Sequence, residues 1–236
     1  MEFVREYMWI LIVLCIVLSC YAQLRVTLSY NRNSKILAQS GMLAKDLARK
    51  LLDQAGLKDI QVVRVKGTMT DYYNNKQKIV ALSDGVYESS AVSALAICAH
   101  EVGHALQYQS GYVPIKIRNF FIKVNNITSI LMWPLLIIGV ILEAVLLSGT
   151  SIGIYMIVIV LAVYVLATIV SLVTLPVETN ASRRAMEALA DSGALKDDEL
   201  PYAKDMLKAA AFTYLASLII SIIQLLRILA LFSRKK

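Results

Sequence analysis

Two apolar runs stand almost back to back in this chain, residues 127–148 and 152–175, joined by "SGTS". Each is about as long as the ~20 residues a helix needs to cross the hydrocarbon of a bilayer. So close a pair, with Pro176 expected to break the second run, reads as a tight transmembrane hairpin. Two further runs extend the pattern. "MWILIVLCIVLSCYA" (8–22) is slightly short but extendable by Tyr7 and Gln23, and "AFTYLASLIISIIQLLRILALF" leads to Arg234, Lys235 and Lys236 at the end of the sequence. With 58% hydrophobic and 17% charged residues, the composition excludes an ordinary soluble domain. The fold class expected is therefore a mainly α membrane protein, with about four transmembrane helices and a small α+β domain.

The first run reads as an uncleaved anchor rather than a signal peptide. Glu2, Arg5 and Glu6 give no positive start, and the small-residue pattern of a cleavage site is poor. The expected divisions are an anchor at 1–24, an α+β domain at 25–122, the hairpin at 123–176, a helical segment at 177–210 and a final span at 211–236. Four spans put 25–122 and 177–210 on one side of the membrane, whichever way the protein inserts. Arg25, Arg32, Lys35, Lys116, Arg118, Lys123, Arg183, Arg184, Lys204 and Lys208 favour the cytoplasm for that side, while the basic C-terminus opposes it. The net charge of +7 thus has a membrane explanation. No basic stripe with interleaved aromatics points to nucleic acid.

Within the polar block, "MLAKDLARKLLDQAG" sets Leu43, Leu47 and Leu51 on one stripe of a helix ending at Gly56. "IQVVRV" and "KIVALS" read as strands around the turn-rich "KGTMTDYYNN". Ser89 or Ser90 then caps a helix that runs to Gln109 and stops before Gly111. That last helix carries "AHEVGHALQYQ", with both histidines of the chain.

His100 and His104, one turn apart, project from one helix face and can grip a single tetrahedral ion. Glu101 lies beside them. Its carboxylate can take a proton from a water that zinc has acidified toward pKa ~7 and return it to the departing amine. This is the HExxH pattern of a zinc hydrolase. The bland reading, histidines bonded to backbone or water, fits poorly with so apolar a helix.

The Gly and His of a longer three-histidine motif fall on Gln107 and Ser110, so a third ligand must be acidic or a cysteine. Cys98 points to another side of the helix, and Cys15 and Cys20 lie inside an apolar run. Glu143 sits near the far end of its run and is expected at the opposite interface, as is Arg227. Asp84 and Glu88 read as caps. Glu187, Asp191 and "KDDEL" read as a solvated face. Glu178 is the best remaining candidate: it follows Pro176 where parity returns the chain to the His100 side, and Ala181, Ala185 and Ala188 allow close packing. Its plain alternative is a first-turn residue favoured by the helix dipole.

"YNRNSK", "SGMLAKDLARKLLDQAG", "TDYYNNKQKIVALSDGVYESSAVSALAICAHEVGHALQYQSGY", "LPVETNASRRAMEAL" and "LKAAAFTYLASL" together resemble the YugP-like neutral zinc metallopeptidases, multi-pass bacterial membrane proteins. The resemblance covers nearly the whole chain. It implies Zn2+ held by His100, His104 and Glu178, with Glu101 catalytic. More distantly, the chain is similar to membrane proteases of the HtpX and CAAX-prenyl type, in which an Asp that orients a ligand histidine follows the third glutamate. Ser182 stands at that position here, so the orienting role passes to Asn180 or another residue. "TDYYNN" also departs from the "TDHYDP" expected of relatives.

The function expected is a membrane-embedded zinc metalloendopeptidase acting on a peptide or protein substrate at the lipid bilayer. Tyr108, Tyr112, Arg183 and Arg184 are candidate oxyanion donors, and "KIVALS" is a strand on which an extended substrate could pair. The alternative is a non-catalytic zinc-binding membrane protein. A transporter ranks lower, because the spans lack paired intramembrane charges.

Overall fold

The structure is a computed structural model that describes residues 8–145 and 152–232. Its elements run α1 (Met8–Asn33), α2 (Ala44–Gln54), β1 (Gln61–Val65), β2 (Tyr72–Asn74), β3 (Ile79–Ser83), α3 (Asp84–Tyr87), α4 (Val92–Gln109), α5 (Val113–Val145), α6 (Ile152–Ser192) and α7 (Leu200–Phe232). The protein is mainly helical. Two compact units divide it: one comprises Tyr21–Val113 with Pro176–Thr213, and the other is built from the apolar remainder.

Among the described residues, three helices are long and apolar enough to cross a membrane, at Trp9–Asn33, Val158–Ser192 and Leu200–Ala230. Little of their most apolar stretches is covered by protein, so a lipid environment is what keeps those side chains from water. The 127–148 run falls largely in α5, where many side chains lie outside the described residues. So do the Glu143 side chain, the "SGTS" junction and the terminal Arg234, Lys235 and Lys236.

The helices are longer than the sequence reading expected. α1 continues ten residues past the apolar run, and α6 passes through Pro176 without a break. Proline removes a single N–H from the ladder, a loss that long apolar helices absorb by local adjustment. Glu178 therefore sits in mid-helix rather than at a helix start, and the first-turn dipole reading of it falls away.

In the first unit, α4 packs on α2 and beneath a three-stranded sheet, in one core with Leu47, Leu52, Leu82, Leu95 and Val102. Each such fully buried leucine contributes roughly 1.5–3 kcal/mol. α4 ends as expected: Gly111 adopts φ +65°, and Tyr112 N–H bonds Gln107 O while Gly111 N–H bonds Tyr108 O. Its start differs. Ala91 is the N-cap, because Val92 N–H donates to Ile36 O and needs no serine cap.

β1 and β3 pair in parallel, and β2 pairs antiparallel on the other side of β3, giving the order β1-β3-β2. The sequence reading took the β2 segment for a turn. An Asx turn does follow it, with Asn74 Oδ1 accepting from Lys76 and Gln77 N–H. Since β3 is central, "KIVALS" has no free edge for a substrate, which corrects that expectation.

Candidate metal centre

α4 and the 177–184 stretch of α6 build the site together. His100 Nε2 lies 3.2 Å and His104 Nε2 3.5 Å from Glu178 Oε2, and one donor atom from each residue lies within 4.8 Å of the others. Glu178 is only 2% exposed, so this carboxylate is buried among imidazoles rather than solvated. Two imidazole nitrogens and a carboxylate converging at a buried point are the donor set that suits zinc.

The helices approach closely because Gly103 lies in the contact. A Cβ there would stand 2.6 Å from Ala181 O, inside any real contact distance. Ala181 and Ala185 are fully buried beside it, as their small size predicted.

Each imidazole has a second partner. His100 Nδ1 is 3.2 Å from Ser182 Oγ, and His104 Nδ1 is 3.0 Å from Gln107 Oε1. Both rings are thereby turned with Nε2 toward Glu178. The hydroxyl at the position of the missing Asp thus holds the ring itself. Asn180 acts one step away, its Oδ1 accepting from Gln107 Nε2 and Arg184 Nε. Gln107 Nε2 also donates to Val177 O at 2.7 Å, tying α4 to the backbone that carries Glu178. Sequence reasoning missed Gln107. Its signal was an amide three residues after His104 on an apolar helix.

Glu101 is 9% exposed and adjoins the ligand rings. Burial pushes its carboxyl up, the two histidines pull it back, and Asp71 and Glu178 add to the rise, leaving it above its ordinary value. A raised carboxyl suits a base that must also deliver a proton near neutrality.

The other candidates fall elsewhere. Cys98 is fully buried and its Sγ donates to Ala44 O, so it faces away from the cluster. Asp84 and Glu88 pair with Arg64, and Glu88 also with Lys45, instead of capping α4. Glu187 and Asp191 are exposed, but Glu199 of "KDDEL" is buried and accepts from Gln39 and Lys196 N–H, correcting the solvated-face reading. Arg183 pairs with Glu187 at the exposed surface, and Arg184 is committed to Leu106 O, Ser110 and Asn180. Tyr108 packs against Tyr73 of β2. In "TDYYNN", Asp71 accepts from Ser83 N–H and Oγ, so the loop anchors β3.

Helices long and apolar enough to cross a membrane, with a buried cluster of two histidines and a carboxylate, define the class: a membrane protein with a candidate metal centre. Residues 8–233 match the family model described as "putative neutral zinc metallopeptidase". The chain is also 37% identical over 215 residues to the "putative membrane protease YugP" of Bacillus subtilis (strain 168), covering 91% of this chain and 92% of that protein. This chain belongs to that YugP-like neutral zinc metallopeptidase family. No solved structure matches it.

Proposed function

We propose that the protein is a zinc-dependent metalloendopeptidase of the membrane, with His100, His104 and Glu178 as metal ligands and Glu101 as general base. The observation that carries this reading is the convergence of both Nε2 atoms on the buried Glu178 carboxylate beside Glu101. Zinc, when bound, supplies a Lewis acid that polarises the scissile carbonyl and acidifies water. Glu101 takes the proton from the attacking water and returns it to the leaving nitrogen. Ser182 and Gln107 keep the rings from rotating, and Gly103 sets the helix spacing that brings Glu178 within reach.

The substrate is a peptide or protein, and its extended backbone pairs with β2. That strand is an open edge of the sheet, and its Tyr73 touches Tyr108 of α4. The reading includes four membrane crossings, the fourth in α5, a gluzincin-like arrangement of the site, and a multi-pass protein in the cell membrane with its catalytic unit facing the cytoplasm. The alternative, a structural zinc site, is disfavoured by Glu101: a closed structural site uses four protein ligands and needs no neighbouring base.

The test is Glu101→Gln in the detergent-purified full chain. One zinc per chain should remain while peptidase turnover falls by about 10²–10⁴, the contribution of a general base. Undiminished turnover would remove Glu101 from the mechanism.

A further inference from the structure

A second site lies where α1 meets α7, within the same unit as the metal centre. Tyr21, Leu24, Arg25, Leu28, Ser29, Arg32 and Asp205 line a groove of about 510 Å³. We propose that this groove binds the anionic headgroup of a phospholipid, with the acyl chains lying on Tyr21 and Leu24 and the glycerol region against Leu28.

Charge comes first. Arg32 donates to Asp205 Oδ2, which also accepts from Ser29 Oγ and Asn33 Nδ2, so one oxygen of that carboxylate takes three donors. Arg25 has no carboxylate partner among the described residues; its guanidinium lies 5.2 Å from the centroid of the Phe212 ring. The groove thus holds two guanidiniums and one carboxylate, a net positive charge. Even paired, the Arg32 side chain is 65% exposed, and a guanidinium has five N–H donors, so hydrogen-bonding capacity remains for a phosphate.

Position selects the source of that phosphate. Arg25 is the first charged residue after the uncharged stretch 7–24, and Phe212 stands near the start of the uncharged stretch 209–226. Their contact brings the end of one apolar run and the start of another to one level, which is the level of lipid headgroups. Leu24 and Leu28 are more than half exposed there. A free phosphate would leave these leucines facing water, whereas a phospholipid covers them and presents its anion to Arg25 and Arg32 in the same molecule.

The experiment titrates the full-length protein in a mild detergent with fluorescent phosphatidylglycerol, with phosphatidylcholine and inorganic phosphate as competitors. Phosphatidylglycerol should bind about tenfold tighter than phosphatidylcholine, and Arg25→Gln should abolish that preference while zinc content stays unchanged. Leu28→Glu, at an exposed position, should weaken phosphatidylglycerol binding to a similar degree and serves if Arg25→Gln fails to fold. Equal affinity for the two lipids, or a preference untouched by both variants, overturns the proposal. Displacement by inorganic phosphate alone would make the groove a free-anion site. A change in oligomeric mass without a change in lipid binding would assign it to a second copy of the chain. Either result also overturns it.

Discussion

α4 and the 177–184 stretch of α6 contribute to one site, yet they are held by different forces. α4 is buried on nearly every side, and its placement follows from shape: apolar packing against α2 and the sheet, and Gly103 against Ala181. The α6 stretch shares that Gly103–Ala181 contact but is fixed in addition by polar atoms, through Gln107 to Val177 O and Asn180, Ser182 to His100, and Arg184 to Leu106 O. Bulk should therefore be the way to damage the first and lost hydrogen bonds the way to loosen the second.

The largest effect expected is from Glu178→Ala, which removes the carboxylate on which both rings converge. Zinc analysis should fall from one ion per chain to little, turnover should vanish, and circular dichroism should be unchanged. Equal zinc in variant and wild type would move the third ligand elsewhere. Gly103→Val comes next and probes α4 by shape. Overpacking costs about 1–3 kcal/mol, so the thermal midpoint should drop and zinc should weaken together. A variant of normal stability would show that α6 can give way.

Gln107→Leu and Ser182→Ala probe the polar side. Each should lower zinc affinity by about 10- to 100-fold in a chelator competition, with little loss of helix, and Gln107→Leu should cost more because that amide also holds Val177 O. If either instead unfolds the protein, the contrast between the two helices collapses.

The smallest effect is in pH. Burial alone would lower the His104 pKa, but its bond to Glu178 and the charges of Glu101 and Glu178 outweigh that and raise it. Zinc must displace the proton held by the metal-free site. Its affinity should therefore decline as pH falls through a value above the ordinary ~6.5. In metal-free Glu178→Ala the titration of His104 itself, followed by NMR, should move to lower pH.

The same contrast governs what the sequence revealed. HExxH is local, and helical periodicity alone puts His100 and His104 on one face, so α4 and its end at Gly111 could be read directly. Glu178 needed the counting of spans, since no pattern within "LPVETNASRRA" links it to a residue so distant. Ser182 entered only as the place of a missing Asp, and Gln107 only as the place of a missing Gly, because hydrogen bonds between helices leave no periodic trace. β2 was hidden by turn-forming residues around it, and the continuity of α6 by Pro176, whose local bias the long helix overrides.

The separation of 78 residues between His100 and Glu178 also bears on how the protein is made. At a synthesis rate of about 5–20 residues per second, the histidines leave the ribosome some 4–16 s before the carboxylate does. During that interval the nascent chain carries the motif without the carboxylate that faces both rings, and α5 and the apolar part of α6 must be synthesised first. A chain that stalls before Glu178 therefore holds His100, Glu101 and His104 on a helix that still lacks the buried partner of its two imidazoles.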